Sequence, residues 1–331
     1  MNRWAKPLRV SGYSTGVIML FLIPLFIKGP YALHILILVG INIILASSLR
    51  LIHISGQLSL GHGGMMLIGA YTSTLLVMKL GLSSWAALVL AGFAAAGLAF
   101  LVGFPFMRLK GIYFAMITMF LAAIIILNAE QWRGLTNGST GITNIPRPDP
   151  IVIPGLLNMN FASKPDFYYC ILVLTLATLV ILYAIERSRI GLTWLSIQQN
   201  DSLAESIGVN TAALKVLGFS IGCFFAGIAG AFYSQYMSVI NPGTFGFGLA
   251  IYVVVYMIVG GVRHFSGPIL GAFLLTLLPE LAVGLERYQP FVFVAIMMLI
   301  IFFLPDGLVS LPTRIKPECF KKWYKAWFNR A

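Results

Sequence analysis

Charge is what this chain has least of. Of its 331 residues only 10% are Asp, Glu, Lys or Arg, while 59% are hydrophobic. A soluble globular domain carries about 25% charged residues. Polar surface is therefore too scarce to coat a soluble fold of this size, and lipid must face most of the protein. Soluble cytoplasmic or secreted enzymes, disordered tails and collagen-like chains are excluded. Cysteine is nearly absent too: Cys170, Cys223 and Cys319 form no CxxC pair, which removes zinc ribbons and thioredoxin motifs. His34, His53, His62 and His264 are dispersed, and no HExxH or other ligand pair falls on one helical face. The apolar segments hold no Asp or Glu near their middles. Proton pumps, ion-coupled carriers and voltage sensors place ionisable groups there, so those classes are disfavoured. The phosphate-cradling GxxxxGK[ST] pattern is missing, so ATP hydrolysis through a P-loop would have to come from another subunit.

Long apolar runs take the place of these missing features. A spanning helix needs about 20 apolar residues. Ten punctuated stretches qualify as candidates: 13–27, 32–49, 60–78, 85–107, 112–127, 167–185, 214–237, 249–261, 268–284 and 290–304. Some are short. The stretch 249–261, between glycines, has the length of half a helix that enters the membrane without crossing it. The sequence thus predicts an all-α, polytopic transmembrane bundle of about 8–10 spans, one domain over 1–331. Arg3, Lys6 and Arg9 before an apolar run mimic a signal peptide. No small-residue cleavage site follows, so a retained first helix is expected.

Basic residues sort by side. If all ten stretches cross and the N-terminus is cytoplasmic, 16 of the 22 Lys and Arg lie inside and six outside, while the ten acidic residues divide equally. This asymmetry is the positive-inside pattern. It supports ten crossings with both termini cytoplasmic, and it accounts for the net charge of +12 without nucleic acid. The tail after Pro312 mixes Lys with Trp323, Tyr324, Trp327 and Phe328, which suits a lipid headgroup region.

Two connections are long. The outer loop, about 128–166, is rich in Gly, Pro, Asn and Thr and is expected to be irregular periplasmic structure. The inner one, about 186–213, carries helix punctuation. Ser202-Leu203-Ala204-Glu205 has the capping-box pattern, Gly208 stands where a short helix would stop, and Asn210 can cap the next. Its expected apolar face is Leu195, Leu203 and Ile207, with Gln198, Gln199, Asn200 and Asp201 towards water. It is either a well-capped connector or a docking knob for a cytoplasmic protein.

Glycine clusters at 56–71 and 260–272. Each Gly costs a helix about 0.8–1 kcal/mol relative to Ala, so such density belongs where backbones pack closely or a helix breaks. Either tight packing is the purpose of the first cluster, or a broken helix lines a path with Gln57, Ser59 and His62 as polar wall; Thr118 is a further polar residue within the bundle. Similar glycine texture in the two halves hints at an internal repeat.

These clusters, in order with the segment 187–210, resemble the permease subunits of bacterial branched-chain amino acid ABC importers, the LivM type. Further matching words are Arg108-Leu109-Lys110-Gly111-Ile112-Tyr113, Thr136-Asn137-Gly138-Ser139-Thr140-Gly141-Ile142, Phe224-Phe225-Ala226-Gly227-Ile228-Ala229-Gly230 and Leu304-Pro305-Asp306-Gly307-Leu308. The resemblance runs from about Ile41 to Leu308. It implies a permease that pairs with a sister permease, docks two cytoplasmic ATPase subunits that bind the ATP and magnesium, and receives solute from a periplasmic binding protein. The chain itself would hold no cofactor and no metal. Carried over by position, Asn200, Asp201, Ala204, Glu205, Gly208 and Asn210 match the family's coupling segment. The chain departs from the family pattern at Gln198, where a basic residue is common, and at Arg263 and His264, where small residues are usual. Urea and short-chain amides are alternative substrates within the same group. A passive facilitator without an ATPase is the rival of a different class.

Overall fold

The computed structural model describes residues 29–153 and 157–281, with Phe21, Pro24 and scattered positions between 294 and 310. Most of the first expected span, about half of the tenth and the tail after Pro312 lie outside the described residues. The other eight apolar stretches are all helices: α1 (Pro30–Ile54), α2 (His62–Leu80), α3 (Ser84–Phe106), α4 (Ile112–Gln131), α6 (Lys164–Arg187), α9 (Thr211–Met237), α10 (Phe247–Gly260) and α11 (Gly267–Leu281). Short helices α5 (Arg133–Thr136), α7 (Arg189–Gln199) and α8 (Asp201–Ser206) fill the two long connections. Among the described residues seven helical segments are long and apolar enough to cross a membrane, α10 counting only with the 3-10 turn Pro242–Phe245 before it. The fold is an all-α polytopic bundle, as the sequence predicts.

Lipid is as apolar as leucine, so helices in a membrane associate by close packing rather than by expulsion of water. The sequence meets this with small residues along α9, the central helix. A Cβ on Gly227 would press on Ala91, Gly92 and Ala95 of α3, and one on Gly230 would collide with the Met66 carbonyl of α2. Gly218 and Gly222 do the same towards Ser55 and Ile52 at the end of α1. The glycines from Gly218 to Gly230 are thus the seam along which α1, α2 and α3 clasp α9. Phe219, Cys223 and Phe232 fill what the glycines leave, all fully buried. Helices α4 and α6 sit outside this seam and expose long apolar stripes such as Phe120, Ile124 and Leu127, the surface a membrane protein offers to lipid or to a sister subunit.

The outer connection has more order than its composition suggests. It holds α5, a 3-10 turn at Gly138–Thr140 and strands β1 (Ile142–Thr143), β2 (Ile151–Ile153) and β3 (Leu157–Met159). β2 pairs antiparallel with β3. β1 pairs antiparallel with β4 (Val239–Ile240), just past the end of α9, with Ile142 opposite Ile240. Asn241 Nδ2 donates to the Ser139 carbonyl at 2.9 Å. The Thr136–Ile142 word therefore fastens the chain as it leaves α9.

Candidate functional site

Two helices begin inside the bundle rather than at its rim. After α1 ends at Ile54 the chain runs non-helically through 55–61, and α2 starts at His62. His62 Nε2 lies 3.0 Å from Ser48 Oγ, six residues back inside α1, about 9 Å along its axis. On the other side the chain leaves α9 at Met237 and returns through β4 and the 3-10 turn Pro242–Phe245, and only then begins α10. The two returns meet. A Cβ on Gly63, the second residue of α2, would collide with the Phe245 carbonyl, and Gly64 packs against Ala122 of α4. α2 runs from this junction towards the end of the bundle where β1 and β4 pair, and α10 runs towards the opposite end. The short stretch 249–261, expected to be half a helix, lies in α10, which together with the 3-10 turn Pro242–Phe245 is long and apolar enough to cross.

The glycine texture at 260–272 is something else. Gly260, Gly267 and Gly271 sit where α10 and α11 touch backbone to backbone, and a Cβ on Gly271 would collide with the Tyr256 carbonyl. The stretch that the 55–61 break leads up against is 238–246, which has little sequence likeness to it.

Gln57, Ser59, His62 and Thr118 converge on the first break. All four are buried. Thr118 Oγ1 accepts from the Leu60 amide at 3.1 Å and Ser59 Oγ accepts from the Gly61 amide at 3.1 Å, so two of the four satisfy backbone left unpaired by the break. Gln57 Nε2 reaches Met107 Sδ at 3.5 Å, leaving Gln57 Oε1 and His62 Nδ1 without partners. Beside this knot a cleft of about 490 Å³ opens between α4 and the two lead-ins; its walls include Leu60, Gly63, Met119, Ile126, Phe245 and Phe247. Glu130 stands at its α4 end. The break contributes Leu60 and Gly63 to the wall, while the four polar side chains lie behind it. Glu130 escaped the sequence reading because the apolar stretch stops at Leu127, whereas α4 continues to Gln131.

The inner connection is wired to the bundle on one face and bare on the other. Trp194, fully buried, donates Nε1–H to the Leu214 carbonyl of α9 at 2.8 Å. Gln198 donates to the His53 carbonyl of α1 at 3.1 Å, so this departure from the family pattern is a latch onto α1. Asp201 forms a salt bridge with the buried Lys215 of α9 and lies 3.7 Å from Lys110 of the α3–α4 turn. It does not face water as expected. Asn200 is the cap of α8: its Oδ1 accepts from the Ser202 and Leu203 amides at 3.0 and 3.2 Å. The expected capping box on Ser202 does not form, because the chain starts the helix two residues earlier. Glu205 instead accepts the Thr211 hydroxyl at 2.6 Å. Gly208 ends the segment with φ of 86°, a left-handed backbone that side chains resist, and Asn210 caps α9 by accepting from the Ala213 amide. Ala204 is buried, while Leu192, Leu203 and Ile207 are 60%, 65% and 78% exposed. The expected apolar face holds only in part: Leu195 packs half-buried against the core and Gln198, Gln199 and Asn200 are exposed, but Leu203 and Ile207 turn outward and Trp194, Ile197 and Ala204 turn inward.

One more tie lies near this end. Arg50, buried in α1, makes a two-pronged bridge to Glu186 of α6 at 2.7 and 2.9 Å and donates Nε–H to the Val262 carbonyl beyond α10 at 2.8 Å. A single guanidinium thus joins α1, α6 and the α10–α11 turn. Breaking such a buried pair from one side costs about 3–5 kcal/mol.

A multi-pass helical bundle clasped around a glycine seam, with two interrupted helices meeting at its middle, is the architecture of a membrane transport permease. Comparison with known proteins gives the particular family. Residues 31–304 match the family described as branched-chain amino acid transport system / permease component, and the chain belongs to it. It is 28% identical over 296 residues to the high-affinity branched-chain amino acid transport system permease protein LivM of Escherichia coli K12, covering 84% of this chain and 68% of that one. It is 25% identical over 279 residues to LivH of the same organism (78% and 87% covered) and to BraD of Pseudomonas aeruginosa (78% and 88%). No solved structure matches the chain.

Proposed function

We propose that this chain is one permease of an ATP-driven importer of branched-chain amino acids in a bacterial inner membrane. It pairs there with a sister permease, receives solute from a periplasmic binding protein and is moved by two cytoplasmic ATPase subunits, which bind ATP and magnesium. The names of the relatives support the substrate. The fold supports the division of labour, through one observation above the others: α7–α8 exposes Leu192, Leu203 and Ile207 while its inner face is fixed to α1 and α9 by Trp194, Gln198 and Asp201. Exposed apolar side chains on a short, capped, firmly anchored segment suit a protein partner. The basic residues Arg108, Lys110, Arg187, Arg189 and Lys215 cluster at the same end, which supports placing it in the cytoplasm.

On this reading the coupling residues are Asn200, Asp201, Ala204, Glu205, Gly208 and Asn210. Asn200, Gly208 and Asn210 shape the segment, Asp201 and Ala204 anchor it, and Glu205 ties it to the first turn of α9. ATP binding at the partners favours one arrangement of the bundle because they grip this segment differently in the two states. The Asp201–Lys215 bridge and the Trp194 contact deliver that bias to α9, the helix around which the others pack. The path runs past the break that holds Gln57, Ser59, His62 and Thr118, with the open side of the cleft closed by the sister permease.

Uptake of radiolabelled leucine in a strain lacking the transport system, restored by the complete set of subunits and competed with isoleucine, urea and acetamide, tests the proposal. Restored, ATP-dependent uptake competed only by isoleucine is expected. Competition by urea or acetamide alone moves the substrate class, and uptake persisting after ATP depletion identifies a facilitator.

A further inference from the structure

The cleft beside the broken helices is almost wholly apolar, yet it carries one carboxylate. Glu130 lines it at the far end of α4, and among the described residues no salt bridge reaches that side chain. A lone carboxylate at the mouth of an otherwise apolar cleft is the kind of polar group that fixes the orientation of a ligand. Between Glu130 and the helix junction, Met119, Ala123, Ile126 and Leu127 form a wall without polar side chains. A volume of about 490 Å³ falls within the range of small-molecule sites, roughly 300–1,000 Å³.

Resting on the reading above, we propose that this cleft is the chain's half of a solute site, in which Glu130 takes the α-ammonium and the wall of α4 takes the aliphatic side chain of a branched-chain amino acid. Ammonium and carboxylate of an α-amino acid sit on one carbon. The ionic end then stays with Glu130, while the branched side chain extends along α4 towards Phe245. Urea and acetamide lack both the cation and the branched chain, so this chemistry selects against them. A lipid tail would fill the wall without using the carboxylate.

The test uses the complete importer in proteoliposomes, with radiolabelled leucine and ATP hydrolysis measured on the same preparations. Glu130→Gln is expected to lower the maximal leucine rate about tenfold, as loss of one charge-assisted contact does, and Ala123→Phe, which fills the cleft from its exposed rim, is expected to lower it by excluding the side chain. Both should leave binding-protein-stimulated ATP hydrolysis intact, and Glu130→Asp should recover part of the rate. Wild-type transport in both variants overturns the site. Loss of stimulated hydrolysis and of subunit assembly in Glu130→Gln, with no rescue by Glu130→Asp, also overturns it, since the residue is then structural. Failure of the wild-type importer to take up leucine overturns the proposed function instead.

Discussion

The α7–α8 segment and the cleft beside α2 and α10 differ in how they are built, and the difference separates two jobs. The first is a continuous stretch of chain, 189–206, made by local rules: a cap at Asn200, a left-handed Gly208, a second cap at Asn210. It is fixed on one face and open on the other. The second is assembled from pieces far apart in sequence, with Gly63 meeting Phe245 and Glu130 closing the end. A handle for another protein needs stiffness and an exposed surface. A path for solute needs backbones that approach closely and a junction that can reopen.

Substitutions sharpen this contrast. The largest effect belongs to neither region but to the seam both depend on. Gly230→Leu drives a side chain into the α2 backbone, and loss of the folded permease is expected, read as disappearance of the monodisperse protein in detergent. Arg50→Ala comes next. It leaves Glu186 buried in part without its cation, and a destabilisation of about 3–5 kcal/mol should show as a large fall in thermal unfolding temperature. At the handle, Glu205→Pro and Gly208→Val should abolish uptake while the protein still inserts, measured by membrane fractionation beside transport. Proline breaks α8, and valine at a φ of 86° costs about 1–2 kcal/mol or shifts the turn. Transport surviving both at normal expression removes the coupling assignment. The smallest effect is expected for Gln198→Ala, which deletes one exposed hydrogen bond to the His53 carbonyl, worth about 0.5–1.5 kcal/mol. Uptake should fall less than in either handle variant.

The same contrast governs what the sequence discloses. Eight apolar stretches announce their helices within a few residues, because a membrane span is a composition signal. The caps at Gly208 and Asn210 are also local and legible. The inward-facing side of α7–α8 is not. Leu203 and Ile207 have the composition of buried residues, and only the docking of Trp194 and Ile197 onto α9 and α1 shows that the segment is turned the other way. The Asp201–Lys215 bridge spans fourteen residues and crosses the Gly208 turn from α8 into α9, so no periodicity exposes it. The meeting of the 55–61 and 238–246 breaks is invisible for a related reason. The second break owes its place to pairing of β1 with β4, and two-residue strands carry no readable pattern. Glycine density marks both 56–71 and 260–272, the first at a break between α1 and α2 and the second where α10 packs closely on α11, because tight helix packing and helix interruption ask for the same residue.

The account stands or falls on the exposed face of α7–α8 as the place where outside subunits push. Leu203→Asp combined with Ile207→Asp leaves the buried ties to α1 and α9 untouched, so the permease should still fold and pair with its sister. Co-purification of the ATPase subunits with this double variant, scored together with ATP-driven leucine uptake in proteoliposomes, is the direct measurement. Loss of both, with the permease pair intact, is the predicted result. Retained ATPase subunits and wild-type uptake would contradict it.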